Sequence, residues 1–257
     1  MKNHKIYIDT SKCIGCELCI KNCVAHNIKK HEDKAEIILN DCVMCGQCAA
    51  ICPKKAIKIS GYDEEQIEKL QDVHLDPNTI LDVIRYRRTI RQFKQDRISK
   101  EVIDQILEAG RLTHTAKNSQ DVSYIVLDKE KDQIEKLAVN LFKKVKPFAD
   151  MLSPIAKNNK INDHFFFFDA PLVILVLAKS STNGLLAAQN MEFISEAHGL
   201  GVLYSGYFTM AANMSSRIKK ALKLPKGKKV AMTLVLGYPN VKFLRSTQHE
   251  KIDVRYM

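Results

Sequence analysis

The chain has 257 residues, 46% hydrophobic and 27% charged, with a formal net charge of +11 and an isoelectric point near 9.2. This balance fits a globular protein of one or two domains and excludes a disordered or fibrous chain. No run of 18 apolar residues occurs, so no transmembrane helix is predicted, and Met1 to Asp9 has lysines but no apolar signal core. A cytoplasmic location is expected, where thiols stay reduced. The positive charge raises nucleic acid or a membrane surface as partners. The lysines are scattered, however, and not grouped on one helix among aromatics, so neither partner is expected.

In chain order, a short strand at Ile6-Tyr7-Ile8 precedes Cys13-x-x-Cys16-x-x-Cys19-x-x-x-Cys23. A second strand, Glu-Ile-Ile-Leu at 36–39, precedes Cys42-x-x-Cys45-x-x-Cys48-x-x-x-Cys52-Pro53. The two runs are offset by 29 positions, and Ile28 and Ile57 share the offset, so the repeat extends past the cysteines. The chain has eight cysteines and all lie in these runs. Two identical four-thiol spacings with none left over indicate two metal sites. Zinc ribbons use paired Cys-x-x-Cys instead of three cysteines and a fourth. Disulfides need an oxidising compartment. Gaps of two residues let three thiolates curl around one iron–sulfur cube, with the fourth ligand coming from the other loop.

The stretch from 1 to about 60 resembles the bacterial two-cluster ferredoxin module. That resemblance implies one 4Fe–4S cluster on Cys13, Cys16, Cys19 and Cys52 and a second on Cys42, Cys45, Cys48 and Cys23. One departure is Val24 after Cys23, where Pro53 follows Cys52. Proline there shapes a turn and ligates nothing.

Residues 61–76 read as a linker with room for one helical turn, and 77–257 as a second domain. Asp76 caps a helix that Pro77 starts, with Ile80, Leu81 and Ile84 on one face. Ser99 caps the next, with Val102, Ile103, Ile106 and Leu107 as its stripe. A strand at 122–127 and a charged amphipathic helix at 130–146 follow. Residues 147–164, with Pro147 and Pro154, read as irregular. The apolar run 171–178 reads as a buried central strand. Helices at 184–198 and 207–222 and a strand at 230–236 complete the pattern. Helices and strands mix without a βαβ rhythm, which predicts an α+β fold.

Arg87-Arg88-Thr89-Ile90-Arg91 ends a helix. Cations there suit the helix dipole, and planar guanidinium forks also grip phosphate. Thr115-Ala116-Lys117-Asn118-Ser119-Gln120, Gly199-Leu200-Gly201 with Ser205-Gly206, and Leu236-Gly237-Tyr238-Pro239 with Lys242 and Arg245 follow in order. The glycines follow a helix, which is not the dinucleotide-binding fingerprint. In this order and spacing, residues 77–257 resemble the nitroreductase family of FMN enzymes.

The resemblance implies a three-layer α/β/α domain with a mixed sheet containing antiparallel pairs, and an intertwined homodimer with FMN at its interface. Arg87, Arg88 and Thr89 are implied at the FMN ribityl and phosphate, with Arg91 nearby and Lys242 and Arg245 completing the clamp. Thr115, Asn118 and Gln120 are implied to meet the flavin of the other subunit. Ser205 and Gly206 are implied to offer backbone N–H groups to its N5 and O4 edge. Asp121-Val122 stands where the family often has Pro-Trp, and the chain has no Trp. Phe165 to Phe168 read as core or as an aromatic lid, and His114 and His198 as structural or exposed, so no catalytic side chain is assigned. Two clusters, each about −2, and a flavin phosphate offset much of the positive charge.

The expected activity is an iron–sulfur flavoprotein oxidoreductase. Electrons from a ferredoxin-type donor pass through the clusters to FMN and on to a small acceptor such as a nitroaromatic or quinone. Two rivals are NAD(P)H-dependent flavin reduction with the clusters serving protein partners, and a redox sensor or electron carrier without turnover.

Overall fold

The computed structural model describes residues 4–38 and 42–257. They form two compact units. The first comprises the residues up to His74 together with Thr115–Ser119, and the second comprises Leu75–His114 and Gln120–Met257.

The first unit repeats itself about its cysteines. β1 (Ile6–Ile8) pairs antiparallel with β4 (Ile57–Ile59), Ile8 facing Ile57. Between them β2 (Ile28–His31) and β3 (Lys34–Ile37) form a hairpin. Two four-residue helices, α1 (Leu18–Lys21) and α2 (Gln47–Ala50), begin at the same offset as the cysteines. The repeat reaches the backbone angles. Gly15 and Met44, Glu17 and Gly46, and His26 and Lys55 all take positive φ, in pairs 29 residues apart. Gly15 is required twice over: its φ is +67°, and a Cβ there sits 2.2 Å from the Asp33 carbonyl oxygen. Cys19, Ile28, Ala35, Cys48, Ala49 and Ile57 form the core. Residues 60–75 contain no helix, so the linker lacks the turn expected there. Of the strand expected at 36–39, Leu39 lies outside the described residues.

The second unit is built on a sheet of order β5-β6-β8-β7, from β5 (Ser123–Leu127), β6 (Leu172–Ala178), β7 (Gly201–Tyr204) and β8 (Lys229–Gly237). All three strand pairs are antiparallel. Among the described residues the parallel element is one bridge, Thr89 to Val202. All seven residues of β6 are buried, as a central strand requires. Val173, Leu175 and Leu177 face one core with α5 (Lys131–Leu152), α8 (Gly206–Met214) and α9 (Ser216–Ala221). Leu172, Ile174 and Val176 face another with α4 (Lys100–Arg111) and α7 (Ser181–Ala197). Period-2 alternation therefore yields three layers.

α3 (Pro77–Tyr86) begins where expected, with the Asp76 carboxylate accepting the Thr79 N–H at 2.8 Å. Two expectations fail. α5 runs through Pro147 to Leu152, and α6 (Pro154–Asn158) follows at once. Lys146 Nζ binds Asp150 Oδ1 at 2.7 Å and the Ala156 carbonyl at 3.1 Å, tying the turns beyond the proline together. The helix expected at 207–222 is two, because Ser215 is extended and its hydroxyl caps α9 by accepting the Ile218 N–H.

Candidate redox sites

The eight thiols sort into two sets. Cys13, Cys16, Cys19 and Cys52 line one cavity. Cys23, Cys42, Cys45 and Cys48 line another. Each cavity thus takes three cysteines of one run and the last of the other. Among the described residues no three of His, Cys, Asp and Glu come together closely enough for a single metal ion. Thiols spread around a void suit a cube and not one ion. Backbone N–H groups already point at sulfur: Ala35 to Cys13 at 3.4 Å, Ala56 to Cys52 at 3.3 Å, Asn27 to Cys23 at 3.3 Å and Met44 to Cys42 at 3.3 Å. The Ala35 N–H lowers the Cys13 pKa, while burial pushes the Cys48 thiol up to about 11.

In the second unit, three of the sequence segments meet along one sheet edge. Thr89 bridges Val202 of β7, and the Ile90 N–H donates to the Val202 carbonyl at 3.2 Å. Gly201 permits this approach, since a Cβ there sits 2.3 Å from Ile90 Cγ1. Further on, Phe93 bridges Pro239 and the Lys94 N–H donates to the Tyr238 carbonyl at 2.8 Å. The basic run therefore lies between the strand that leads into Ser205-Gly206 and the turn that leads to Lys242 and Arg245.

The side chains divide. Arg87 Nη1 binds Glu192 Oε2 at 2.6 Å and its guanidinium lies over Phe193 at 5.3 Å. The same carboxylate oxygen accepts from Gln189 at 2.7 Å and Tyr204 at 3.1 Å. Arg87 is thus committed inside the fold. Arg88 folds back on the helix end, giving Nη1 to the Arg87 carbonyl and Nη2 to the Arg85 carbonyl, while its buried Nε has no protein partner. Thr89, Arg91, Lys242 and Arg245 are exposed. The Ser205 N–H donates to the Thr233 carbonyl at 2.9 Å. Gly206, first residue of α8, is the exposed member of that pair, with open space beside its Cα. A buried unpartnered guanidinium nitrogen, further exposed cations and a helix N-terminus along one edge fit a phosphate-bearing planar ligand.

The Asn-Ser-Gln loop has a use that the sequence did not reveal. Thr115–Ser119 groups with the first unit, and Gln120 with the second. Asn118 Nδ2 donates to the Met44 carbonyl at 2.8 Å and the Val43 carbonyl at 3.2 Å. Phe166 and Phe167 are core, and partly buried Phe165 faces Tyr207 at 6.3 Å between centroids. His198 binds Gln105 at 2.7 Å and His114 is exposed. Sequence reading missed Glu192. The available signal was a carboxylate inside a helix otherwise free of charge up to Ser195.

Residues 84–238 match the nitroreductase family, and residues 5–53 match the 4Fe-4S dicluster domain. A Methanothermobacter thermautotrophicus protein bearing the name NADH dehydrogenase/NAD(P)H nitroreductase is 24% identical over 192 residues, 71% of this chain and 85% of that one. A component of the Methanosarcina acetivorans ion-translocating oxidoreductase complex is 51% identical over 47 residues, 18% of each chain. The structure of a nitroreductase with bound FMN from Desulfitobacterium hafniense superposes with a TM-score of 0.57 at 22% identity, covering 69% of this chain and 97% of that one. The chain belongs to the nitroreductase family of FMN-dependent oxidoreductases and carries an N-terminal 4Fe–4S dicluster ferredoxin domain.

Proposed function

We propose that this oxidoreductase takes electrons singly at its two clusters and delivers them in pairs from FMN to a small acceptor, a nitroaromatic or a quinone. The observation that carries the reading is the crossed sorting of the thiols, four to each cavity, in a chain that is also a nitroreductase. FMN, when bound, supplies the conversion between single electrons and pairs.

In this reading Cys13, Cys16, Cys19 and Cys52 hold one cluster, and Cys42, Cys45, Cys48 and Cys23 the other. Arg88, Thr89 and Arg91, with Lys242 and Arg245, hold the ribityl and phosphate. The Gly206 N–H meets the polar edge of the flavin ring and favours charge that develops there. Arg87 positions the run through Glu192 and does not grip phosphate itself. A second copy of the chain covers Leu81 and Ile84 of α3 and the exposed Phe243, Leu244, Ile252 and Tyr256 of the C-terminal segment. Thr115 and Gln120 then reach the flavin of that copy.

A second reading, direct reduction of FMN by NAD(P)H, is favoured by the name of the Methanothermobacter relative. Anaerobic rapid mixing separates the two. Reduced ferredoxin is expected to bleach the flavin band within the enzyme's turnover time, and NADH or NADPH is not. Fast bleaching by a pyridine nucleotide alone overturns the first reading.

A further inference from the structure

The two thiol-lined cavities are related by the 29-residue repeat, yet their linings differ in charge. Lys30, Lys34 and Lys54 line the cavity of Cys13, Cys16, Cys19 and Cys52, against one carboxylate, Glu17. Among the described residues no charged side chain lines the other cavity. The repeat puts Ala25 where the first site has Lys54, and Ile59 where it has Lys30. Lys34 Nζ donates to the Cys13 carbonyl, which fixes an ammonium beside a ligand. Lys30 lies 3.2 Å from both Glu17 and Asp33, and Lys54 is exposed.

Backbone N–H groups reach sulfur at both sites, and each set has one exposed and one buried cysteine. The linings differ in charge, and positive charge near a cluster favours its reduced, more negative state. The loops also differ in cover. The Met44 carbonyl accepts from Asn118 and from the Tyr62 hydroxyl at 3.4 Å, whereas Ile14, the counterpart of Val43, is 58% exposed against 36%.

We propose that the cluster of Cys13, Cys16, Cys19 and Cys52 is the more easily reduced of the two, and that its lysine rim around Ile14 docks an acidic one-electron carrier protein. This rests on the reading that the clusters take electrons from a carrier. At docking the reduced carrier loses one electron and this cluster gains it; no bond is made and no proton moves. Rim lysines act on encounter rate and its salt dependence more than on final affinity.

The test is an EPR-monitored redox titration of the holoprotein, paired with stopped-flow reduction by a photoreduced acidic [2Fe–2S] ferredoxin. Wild type is expected to show two separate cluster midpoints. Lys30→Ala/Lys54→Ala lowers the higher one and leaves the lower unmoved, and Ala25→Lys raises the lower one. The lysine variant is reduced by ferredoxin roughly threefold or more slowly at low salt, with a shallower salt slope. Coincident midpoints in wild type, or a shift of the lower midpoint in the lysine variant, overturn the order of potentials. Unchanged ferredoxin kinetics in that variant overturn the docking site. Failure of ferredoxin to reduce even the wild type removes the carrier reading, and the order of potentials is then judged by the titration alone.

Discussion

Asn118 donates its side-chain amide to the Met44 carbonyl at 2.8 Å and to the Val43 carbonyl at 3.2 Å. Both acceptors lie between the thiols of Cys42 and Cys45. One asparagine therefore fastens the loop that carries two thiols of the second set. Asn118→Leu removes both hydrogen bonds at similar volume, at a cost of about 1 kcal/mol each. Chelator-driven bleaching of the holoprotein is expected to show two phases, with one about thirtyfold faster in the variant. Equal acceleration of both phases contradicts a local fastening.

Crossed ligation makes a prediction about non-additivity. In a Cys42→Ser/Cys45→Ser background, which lacks the second cluster, adding Cys23→Ser is expected to remove no more iron. Adding Cys52→Ser is expected to remove the rest. Iron counted per chain decides it, and the reverse pattern means that each run holds its own cluster.

The Arg87–Glu192 pair is largely inside the fold, with side-chain exposures of 23% and 12%. Arg87→Met strands a carboxylate already crowded by Glu196, whose own pKa burial raises. A loss of about 2–3 kcal/mol is expected in urea unfolding of the flavin-free protein. Arg87→Met/Glu192→Gln is expected to recover most of it. A flavin-free Arg87→Met protein as stable as wild type means that the pair contributes little and Arg87 is free to serve the phosphate.

Glu135 is 1% exposed and its Oε1 accepts the N–H groups of Phe166 at 2.9 Å and Phe167 at 2.7 Å. Burial raises its pKa more than these bonds, His164 and Lys131 lower it. The folded state therefore holds this proton more tightly than the unfolded chain. Its stabilising contribution is complete below the ordinary carboxylate range and is lost as pH rises through the elevated value. Glu135→Gln keeps an acceptor oxygen and removes the ionisation. Between pH 4 and 8 the melting temperature of wild type is expected to fall relative to that of the variant; a constant difference contradicts the assignment.

Much of this was legible in the sequence, because the signals were local. The cysteine spacing identified both metal sites, Asp76-Pro77 and Ser99 marked helix starts, and the run 171–178 marked the central strand. β2 and β4 escaped notice because Lys29-Lys30-His31 and Lys58 present polar outer faces on very short strands. α5 passed through Pro147 because Lys146 secures the turns beyond it, a contact that depends on how α6 folds back. The use of Asn118 and the engagement of Arg87 by Glu192 join residues 74 and 105 positions apart. Residue type suggests a polar partner in such cases but cannot name one. The difference between the two cysteine sites lay in the repeat itself, at Lys54 against Ala25, and gained meaning only when both residues lined cavities.

The central claim is that electrons reach the flavin through the clusters. It is tested most directly with FMN-loaded Cys13→Ser and Cys42→Ser proteins, each mixed anaerobically with reduced ferredoxin while the flavin band is followed. Flavin bleaching at least tenfold slower than in wild type is expected in both, equivalent to about 1.4 kcal/mol or more on the barrier, with flavin content and photochemical flavin reduction unchanged. Bleaching at the wild-type rate in either variant contradicts the account, because electrons then reach FMN without that cluster.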